Sequence, residues 1–407
     1  MSKNIVFCAD GTWNGPSEVT GVPVTDADDT AGEVQATAGT ATNVFKLFSN
    51  LPGHITVETL GSRNEQERVA TDAAGNVLQV AKYLHGVGDS TNAIIKLVGG
   101  AAGVGIISRI VRGYSFISRH YSPGDAIYIV GFSRGAYTAR ALAGMICSVG
   151  LLDRSKYDVD DKERAYRLGT TAWVMWRERS LGSRGKSISP LATALLTLVG
   201  HCAAASLPAN ALIANVPIKA VAVWDTVGSL GIPLYAGGAR LDVFRFADTA
   251  LNPLVENGLH AMALHEQRID FPVTRWDSRQ GLTQEWFCGA HADVGGGYPA
   301  TESALSNQSL SWMLRKLADL GMRVSDPLPY PPVPQDPNAK VHTPWDAPPF
   351  NAMPKASRTV DRAKDRFHAS VALRSPLDLP PGPPALGAEE AAALSLDSTW
   401  YSGKAGS

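Results

Sequence analysis

Short apolar runs, each ending in a small or polar turn, recur along the first three quarters of the chain. The clearest are residues 5–9, 126–132 and 218–224, which are rich in valine, isoleucine and alanine. Runs of this length without polar alternation are typical of strands buried on both faces of a parallel sheet. Stretches of helical character separate them, so the pattern predicts an α/β fold with a mostly parallel sheet and helices on both faces.

The remaining pattern predicts further elements around these three runs. Strands are expected at 54–60 and 284–288, where β-branched or aromatic residues cluster. Helices are expected at 43–48, 106–121, 153–179, 259–268 and 303–320. Residues 15–43 lack periodicity and are rich in threonine, alanine and glycine, which is typical of a long loop.

One apolar run leads directly into a serine between two glycines, Gly131-Phe-Ser133-Arg-Gly135, and a helix-forming stretch follows. This G-x-S-x-G sequence in a strand–turn–helix context is typical of the nucleophile of α/β-hydrolases. The strained turn exposes the hydroxyl, and the glycines let strand and helix pack closely. The next helix would point unpaired N–H groups at a developing oxyanion. Ser133 is therefore the predicted nucleophile, with a tight structural turn as the alternative.

Three further turns carry carboxylates or histidines where a predicted strand ends. Asp10 follows the first apolar run, Asp225 follows residues 218–224, and His291 and Asp293 follow the last predicted strand. Open α/β sheets place ligand groups at the carboxyl ends of their strands. A histidine and an aspartate two residues apart at a strand end would project to the same side. This predicts a functional turn there, whereas Asp10 is equally well explained as the fixing residue of a turn.

The proline distribution predicts a core domain and a C-terminal extension. Fifteen of the 26 prolines lie between Pro327 and Pro384, so residues 326–407 are expected to wrap the core in irregular form. Residues 1–325 are assigned to an α/β-hydrolase core with a helical insertion at 151–217. Part of that insertion has no charged side chain, which fits either an apolar cap over a cleft or an ordinary buried helix pair.

Composition argues against several other classes of protein. The 37 basic and 38 acidic residues leave a formal net charge of −1, so nucleic acid is not an expected partner. No apolar run reaches the roughly 20 residues of a transmembrane helix, and a strand pattern at the N-terminus predicts no signal peptide. The cysteines lack C-x-x-C spacing, and His260 and His265 are poorly spaced for one metal ion, so no metal or organic cofactor is expected.

Five motifs in chain order resemble those of one enzyme family. They are Asp10-Gly-Thr-Trp-Asn, Gly131-Phe-Ser-Arg-Gly-Ala, Val223-Trp-Asp-Thr-Val-Gly-Ser, His291-Ala-Asp-Val-Gly-Gly-Gly-Tyr and His368-Ala-Ser-Val-Ala-Leu-Arg. Together they are similar to the α/β-hydrolase domain of the first family of type VI secretion lipase effectors. The resemblance implies a serine hydrolase with phospholipase activity of the A1 or A2 type. It also implies, as partners, a lipid or other ester substrate, a membrane surface, the secretion machine and an immunity protein.

Two completions of the catalytic triad fit the chain order of this fold, in which the acid and then the histidine follow the serine. Among the predicted strands after Ser133, Asp225 ends the first and Asp293 the second, and the acid commonly follows the second. With the histidine last, on a loop, the favoured triad is Ser133, Asp293 and His368. Asp225 with His291 stays open as the alternative pair, and otherwise supports the first pair from neighbouring strand ends.

The same chemistry is expected from either pair. The histidine accepts the proton of Ser133 as the hydroxyl attacks an ester carbonyl, and the aspartate orients the imidazole. The backbone N–H of Arg134 and one N–H from the turn at Gly11 and Thr12 are expected to form the oxyanion hole.

The sequence therefore predicts a serine ester hydrolase, either a phospholipase or a lipolytic esterase. By the resemblance it is an antibacterial effector, made in the cytoplasm and exported by a type VI system into target cells. The alternative is a catalytically inactive α/β-hydrolase-like module that serves for binding or as a toxin scaffold.

Overall fold

The computed structural model of this chain describes residues 2–11, 40–60, 65–86, 101–182, 207, 209–227, 235–236, 239–240, 249–334, 336–348, 350–361, 364–372 and 374. The uncharged segment predicted as a cap or a buried helix pair is residues 187–218, and most of it, 187–206 and 208, lies outside these residues, as do residues 15–39 of the loop predicted at 15–43.

One mixed sheet forms the centre of the described part of the chain. The strands of the described residues are β1 (Asn4–Ala9), β2 (His54–Ile55), β3 (Glu65–Thr71), β4 (Val77–Leu84), β5 (Ala126–Phe132), β6 (Leu151–Leu152), β7 (Leu212–Ile213), β8 (Ile218–Trp224), β9 (Tyr235–Ala236), β10 (Ala239–Arg240), β11 (Val255–Ala263), β12 (Leu282–Phe287) and β13 (Arg366–Phe367). The strands of the central sheet lie in the order β13-β12-β11-β8-β5-β1-β4-β3-β2. All neighbours pair in parallel except β2 with β3 and β3 with β4, which are antiparallel at one edge.

Helices cover both faces of this sheet. They are α1 (Asn43–Ser49), α2 (Ala101–His120), α3 (Arg134–Val149), α4 (Lys162–Gly182), α5 (His291–Gly295) and α6 (Ala304–Asp319). Successive side chains of β1 show the two layers. Ile5 and Phe7 join an apolar cluster with residues of α2, α3 and α4, whereas Val6 and Cys8 join a second cluster with residues of α1 and α6. The prediction of an α/β-hydrolase-like fold with a mostly parallel sheet is confirmed.

The register of the central strands brings the predicted functional turns together. Ala9 of β1 lies opposite Gly131 of β5, and Phe132 of β5 lies opposite Trp224 of β8. Parallel strands end at the same edge of a sheet. The residues that follow these strands therefore share one edge, and the site is built there.

One predicted helix is wrong. Residues 259–268 were expected to be helical, but Val255–Ala263 is a strand, β11, that pairs in parallel with both β8 and β12. Leucine, alanine, methionine and histidine favour a helix locally, and burial between two strands overrides that preference. The predicted strand at 54–60 is also shorter, since His54–Ile55 is followed by a 3₁₀ turn at Val57–Thr59.

The described part of the proline-rich extension is mostly irregular and packs on the sheet. It contains 3₁₀ turns at Pro344–Asp346, Phe350–Ala352 and Ala369–Val371, and β13 adds a strand beside β12. Ala339 and Val371 are buried in a third apolar cluster with Trp286 of β12. The extension thereby reaches the strand ends that carry the predicted site.

Candidate active site

Ser133 occupies a strained turn between β5 and α3. Its backbone has φ 57° and ψ −121°, a conformation that non-glycine residues rarely adopt. A Cβ atom at Gly131 would lie 2.4 Å from the carbonyl oxygen of Gly135, and one at Gly135 would lie 2.1 Å from that of Ala9. Both glycines are therefore required by close backbone approach, which is the reason the G-x-S-x-G spacing recurs at such turns.

A histidine and a buried aspartate form a close pair at the same edge of the sheet. Asp225 directly follows β8 and is fully buried, and its Oδ2 lies 2.6 Å from Nδ1 of His291, the first residue of α5. The backbone of Asp225 also has a positive φ, 37°. A carboxylate at Nδ1 fixes the ring and its tautomer and leaves Nε2 as the nitrogen able to accept a proton.

Aromatic rings hold the His291 imidazole beside the serine turn. The ring of Phe132, the residue before Ser133, lies 4.6 Å from the imidazole between centroids. Phe271 contacts the imidazole edge-on at 5.2 Å. Burial lowers the pKa of His291, and the nearby charge of Arg268 adds to this, whereas the hydrogen bond and charge of Asp225 oppose it. The imidazole is thus set up as a neutral base.

Further donors hold the Asp225 carboxylate. Its Oδ1 accepts a hydrogen bond of 2.9 Å from the backbone N–H of Ala263, and Arg358 of the extension binds both oxygens at 2.5 and 3.0 Å. Burial alone would raise the pKa of this carboxyl, but the charge of Arg358 and the hydrogen bond from His291 lower it well below its usual range. Asp225 is therefore ionised at neutral and mildly acidic pH.

Asp293 has a different histidine as its partner from the one expected. Its Oδ1 lies 2.6 Å from Nδ1 of His342, and its Oδ2 accepts hydrogen bonds from the backbone N–H groups of Ala290 and His342. The predicted pairing of Asp293 with His368 is not the one in the structure. Nδ1 of His368 lies 2.8 Å from the hydroxyl of Ser370, and its ring stacks on Phe287 at 4.4 Å.

Two structural differences explain this change of partners. His291 and Asp293 lie on the short helix α5 rather than on a strand end, so side chains two positions apart point in different directions. The strand β11, expected as helix, also changes the count that favoured Asp293. Among the strands of the central sheet, Asp225 still follows the first one after the nucleophile, β8, but Asp293 follows the third, β12.

The three expected donors of the oxyanion hole differ in what the structure shows for them. Arg134 is the first residue of α3, where backbone N–H groups have no partner within the helix. Gly11 lies close to the serine, since a Cβ on it would approach the Ser133 Cβ at 3.2 Å. Its N–H, however, donates to the Asp10 carboxylate at 2.6 Å, so it is already engaged. Thr12 lies outside the described residues.

Asp10 fixes the turn after β1. Its fully buried carboxylate accepts hydrogen bonds from the hydroxyls of Thr42 at 2.7 Å and Tyr83 at 2.6 Å, and Arg109 donates to its backbone carbonyl at 2.8 Å. Burial raises the pKa of this carboxyl, and those hydroxyl groups oppose the rise. The contacts favour the structural interpretation of Asp10, as a residue that shapes the loop beside Ser133.

His342 and Arg358 were not anticipated from the sequence, although both bind carboxylates of the predicted motifs. They come from the extension, 49 and 133 residues from their partners, where no local motif marks them. A basic residue in a proline-rich stretch without periodicity is the only signal that the sequence carries.

His342 is expected to support the helix that presents His291. Besides Asp293, it contacts Glu302 through Nε2 at 2.6 Å and stacks on Tyr298 with centroids 3.6 Å apart. His342→Ala removes the partner of the carboxylate that caps α5, so we expect about a tenfold loss of kcat, as for groups that orient other ligating residues. The matched control is Lys340→Ala, which alters an exposed neighbour of the same Glu302 and should leave kcat within about twofold. Equal kcat in His342→Ala, Lys340→Ala and wild type would show that His342 does not support the site.

No metal or membrane-spanning element is indicated by the described part of the chain. Within it, no three histidine, cysteine or acidic side chains are grouped so that they could hold a metal ion. None of the helices described is both long and apolar enough to cross a membrane.

Comparison with known proteins places these residues in context. The model of the family "T6SS, Phospholipase effector Tle1-like, catalytic domain" matches residues 3–316. The uncharacterized protein YEL023C of Saccharomyces cerevisiae is 25% identical over 276 residues, which cover 66% of this chain and 32% of that protein.

Two solved structures are similar at 17% identity. An uncharacterized protein from Pseudomonas aeruginosa gives a TM-score of 0.39 over 84% of this chain and 48% of that chain. The Tle1 effector bound to the VgrG spike of the type VI secretion system gives a TM-score of 0.34, over 73% of this chain and 51% of that chain. This chain therefore spans about a third of the yeast protein and about half of each solved chain.

Proposed function

Because the chain belongs to the family of Tle1-like phospholipase effectors of the type VI secretion system, as their catalytic domain, we propose that it hydrolyses carboxylic ester bonds of phospholipids. Ser133 is the nucleophile, His291 the general base and Asp225 the acid of the triad. The observation that carries this proposal is the 2.6 Å contact of Asp225 with Nδ1 of His291, whose ring packs on the residue before Ser133.

In the proposed reaction, Nε2 of His291 accepts the proton of the Ser133 hydroxyl as its oxygen attacks the ester carbonyl. The negative charge that develops on the carbonyl oxygen is stabilised by the backbone N–H of Arg134 at the start of α3. His291 then returns the proton to the leaving alcohol, and water hydrolyses the acyl-enzyme by the same route in reverse. Asp225 stays ionised and stabilises the imidazolium that forms in each step.

Two exposed apolar side chains lie on segments close to the imidazole, a position that fits a lipid substrate. Ile269 is 46% exposed and Met353 is 39% exposed, and an antiparallel bridge joins the segments that carry them. The same two segments supply Phe271, which contacts His291, and Phe350, which contacts Phe271 at 5.9 Å. Large exposed apolar side chains beside a site are typical of surfaces that meet lipid or another apolar ligand.

The substrate class is tested by parallel release assays. We expect the purified protein to release fatty acid from defined phosphatidylglycerol and phosphatidylethanolamine vesicles, and short nitrophenyl esters to be hydrolysed more slowly. Phospholipids labelled at one acyl position distinguish A1 from A2 specificity. Hydrolysis of the short esters alone would indicate a non-lipolytic esterase, and no hydrolysis of either would favour the inactive binding or toxin scaffold.

The proposal includes delivery by a secretion machine, as the family name implies. In it, the protein is exported into target cells, where it meets phospholipid, and a secretion-spike component and an immunity protein are its partners. Expression with and without an export signal in a test bacterium checks this part. Growth inhibition only when the protein reaches the periplasm, and only with Ser133 intact, is the expected result.

The buried imidazole predicts activity that extends into mildly acidic solution. The base acts only when it is neutral, so kcat/KM rises with pH through the pKa of His291 and is level above it. Burial lowers that pKa from its ordinary value of 6.5, so we expect the rise to be centred below 6.5. A profile of kcat/KM from about pH 4 to about pH 9 measures it. A rise centred above 6.5 would show that the base is a more exposed group.

A further inference from the structure

Arg358 contacts the proposed acid of the triad from outside the hydrolase core. Its side chain is only 6% exposed, and its two terminal nitrogens bind the two oxygens of Asp225, a bidentate arrangement that fixes both groups in one plane. The same nitrogens donate to the backbone carbonyls of Ala263 and Phe271 at 2.6 and 2.8 Å. These carbonyls belong to the end of β11 and to the segment that packs against His291.

We propose that Arg358 is a positioning residue of the triad, which holds Asp225 in register with His291 and sets the pH at which His291 begins to act as a base. The inference rests on the proposed function. It assigns the proline-rich extension a part in the chemistry of the site, because the cation that binds both oxygens of the Asp225 carboxylate comes from that extension.

The charge balance of the site explains the second part of this role. An aspartate and a neutral histidine carry one negative charge together, and protonation of the imidazole removes it. With Arg358 included, the three side chains together are neutral before the imidazole is protonated and carry one positive charge afterwards. Protonation of His291 is therefore less favourable in a site that excludes water. Arg358 thereby keeps His291 deprotonated at lower pH. It also weakens the electrostatic stabilisation that Asp225 gives to the protonated imidazole.

Other charged groups near the pair are balanced among themselves. The Glu266 carboxylate accepts the backbone N–H of His291 at 3.1 Å and is paired with Arg268, whose guanidinium lies over the ring of Phe271 at 3.7 Å. His260 of β11 faces the Asp225 turn, and burial lowers its pKa to about 3, so it stays neutral over the working range. Arg358 is therefore the cation that bears most directly on the triad acid.

Three substitutions separate charge from geometry. Arg358→Gln and Arg358→Met remove the charge, and both should lower kcat and move the acidic limb of kcat/KM upward by about one pH unit or more. Arg358→Lys keeps the positive charge but loses the bidentate contact with Asp225. We therefore expect kcat to fall, while the acidic limb of kcat/KM stays within a few tenths of a pH unit of wild type. KM should change little in all three, because the buried side chain does not face substrate. The matched control is Arg275→Gln, which breaks a pair with Asp365 rather than with a residue of the triad and should leave the pH dependence of kcat/KM unchanged.

A second measurement makes the result independent of turnover. In a Ser133→Ala background, the titration midpoint of the His291 imidazole, followed by NMR, should rise when Arg358 is also changed to Gln or Met. An unchanged midpoint in a folded variant overturns the charge role, and unchanged kcat in Arg358→Lys overturns the positioning role. If the wild type hydrolyses nothing, the proposed function fails, and the NMR midpoint still decides whether Arg358 sets the protonation of His291.

Discussion

Ser133→Ala should reduce ester hydrolysis by a factor of about 10⁴ or more, because loss of one triad member removes the covalent route as a whole. The hydroxyl sits on a turn with φ 57°, where alanine is no more strained than serine, so the fold should survive. Release of fatty acid from vesicles and of nitrophenol from short esters, measured on purified protein, checks the loss for both substrates.

Two controls protect this result from misinterpretation. Circular dichroism and thermal unfolding should be the same for Ser133→Ala and wild type. Ser155→Ala, which alters an exposed serine whose hydroxyl donates to Asp153, should keep full activity. Turnover by Ser133→Ala within tenfold of wild type would mean that another residue is the nucleophile.

The second large effect is expected at the acid and base. His291→Ala and Asp225→Asn should each bring kcat close to the level of Ser133→Ala, and combining either with Ser133→Ala should add almost nothing, since members of a triad act as a unit. Asparagine keeps the shape of the carboxylate but cannot stabilise an imidazolium or impose the same tautomer. Single-turnover kinetics with an activated ester measure the chemical step directly.

The competing pair supplies the comparison. Asp293→Asn and His368→Ala should lose no more than about 100-fold in kcat, since Asp293 caps α5 and His368 packs on Phe287. If these two variants fall to the Ser133→Ala level while His291→Ala stays active, the triad proposed on the basis of this structure is incorrect. Melting temperatures of all four variants separate loss of chemistry from loss of fold.

Much of the central fold follows from local pattern. The strands β1, β5 and β8 are apolar runs that end in a recognisable turn, and Gly131 and Gly135 mark the serine turn because only glycine fits there. The strand β11 was missed because its residues favour a helix and it ends without a turn signal. That one error shifted the strand count on which the choice of acid depended.

The contacts within the site could not be read from the sequence in the same way. Asp225 and His291 lie 66 residues apart, and Arg358 is a further 67 residues along the chain, so only the packed sheet and its extension bring them together. Sequence motifs identified both candidate aspartates and three candidate positions for the N–H donors of the oxyanion hole, Gly11, Thr12 and Arg134. Which histidine meets which aspartate depends on the direction of α5, a helix of five residues that no periodicity marks.

The central claim is that Ser133 is activated by His291, and labelling with a fluorophosphonate tests it most directly, because this probe reacts only with an activated serine. Intact mass and peptide mapping should show one adduct, on the peptide that contains Ser133, and none in Ser133→Ala. Labelling should slow by at least about a hundredfold in His291→Ala and by less than about tenfold in His368→Ala. No adduct on the wild type, or equal labelling rates in wild type and His291→Ala, would contradict the account.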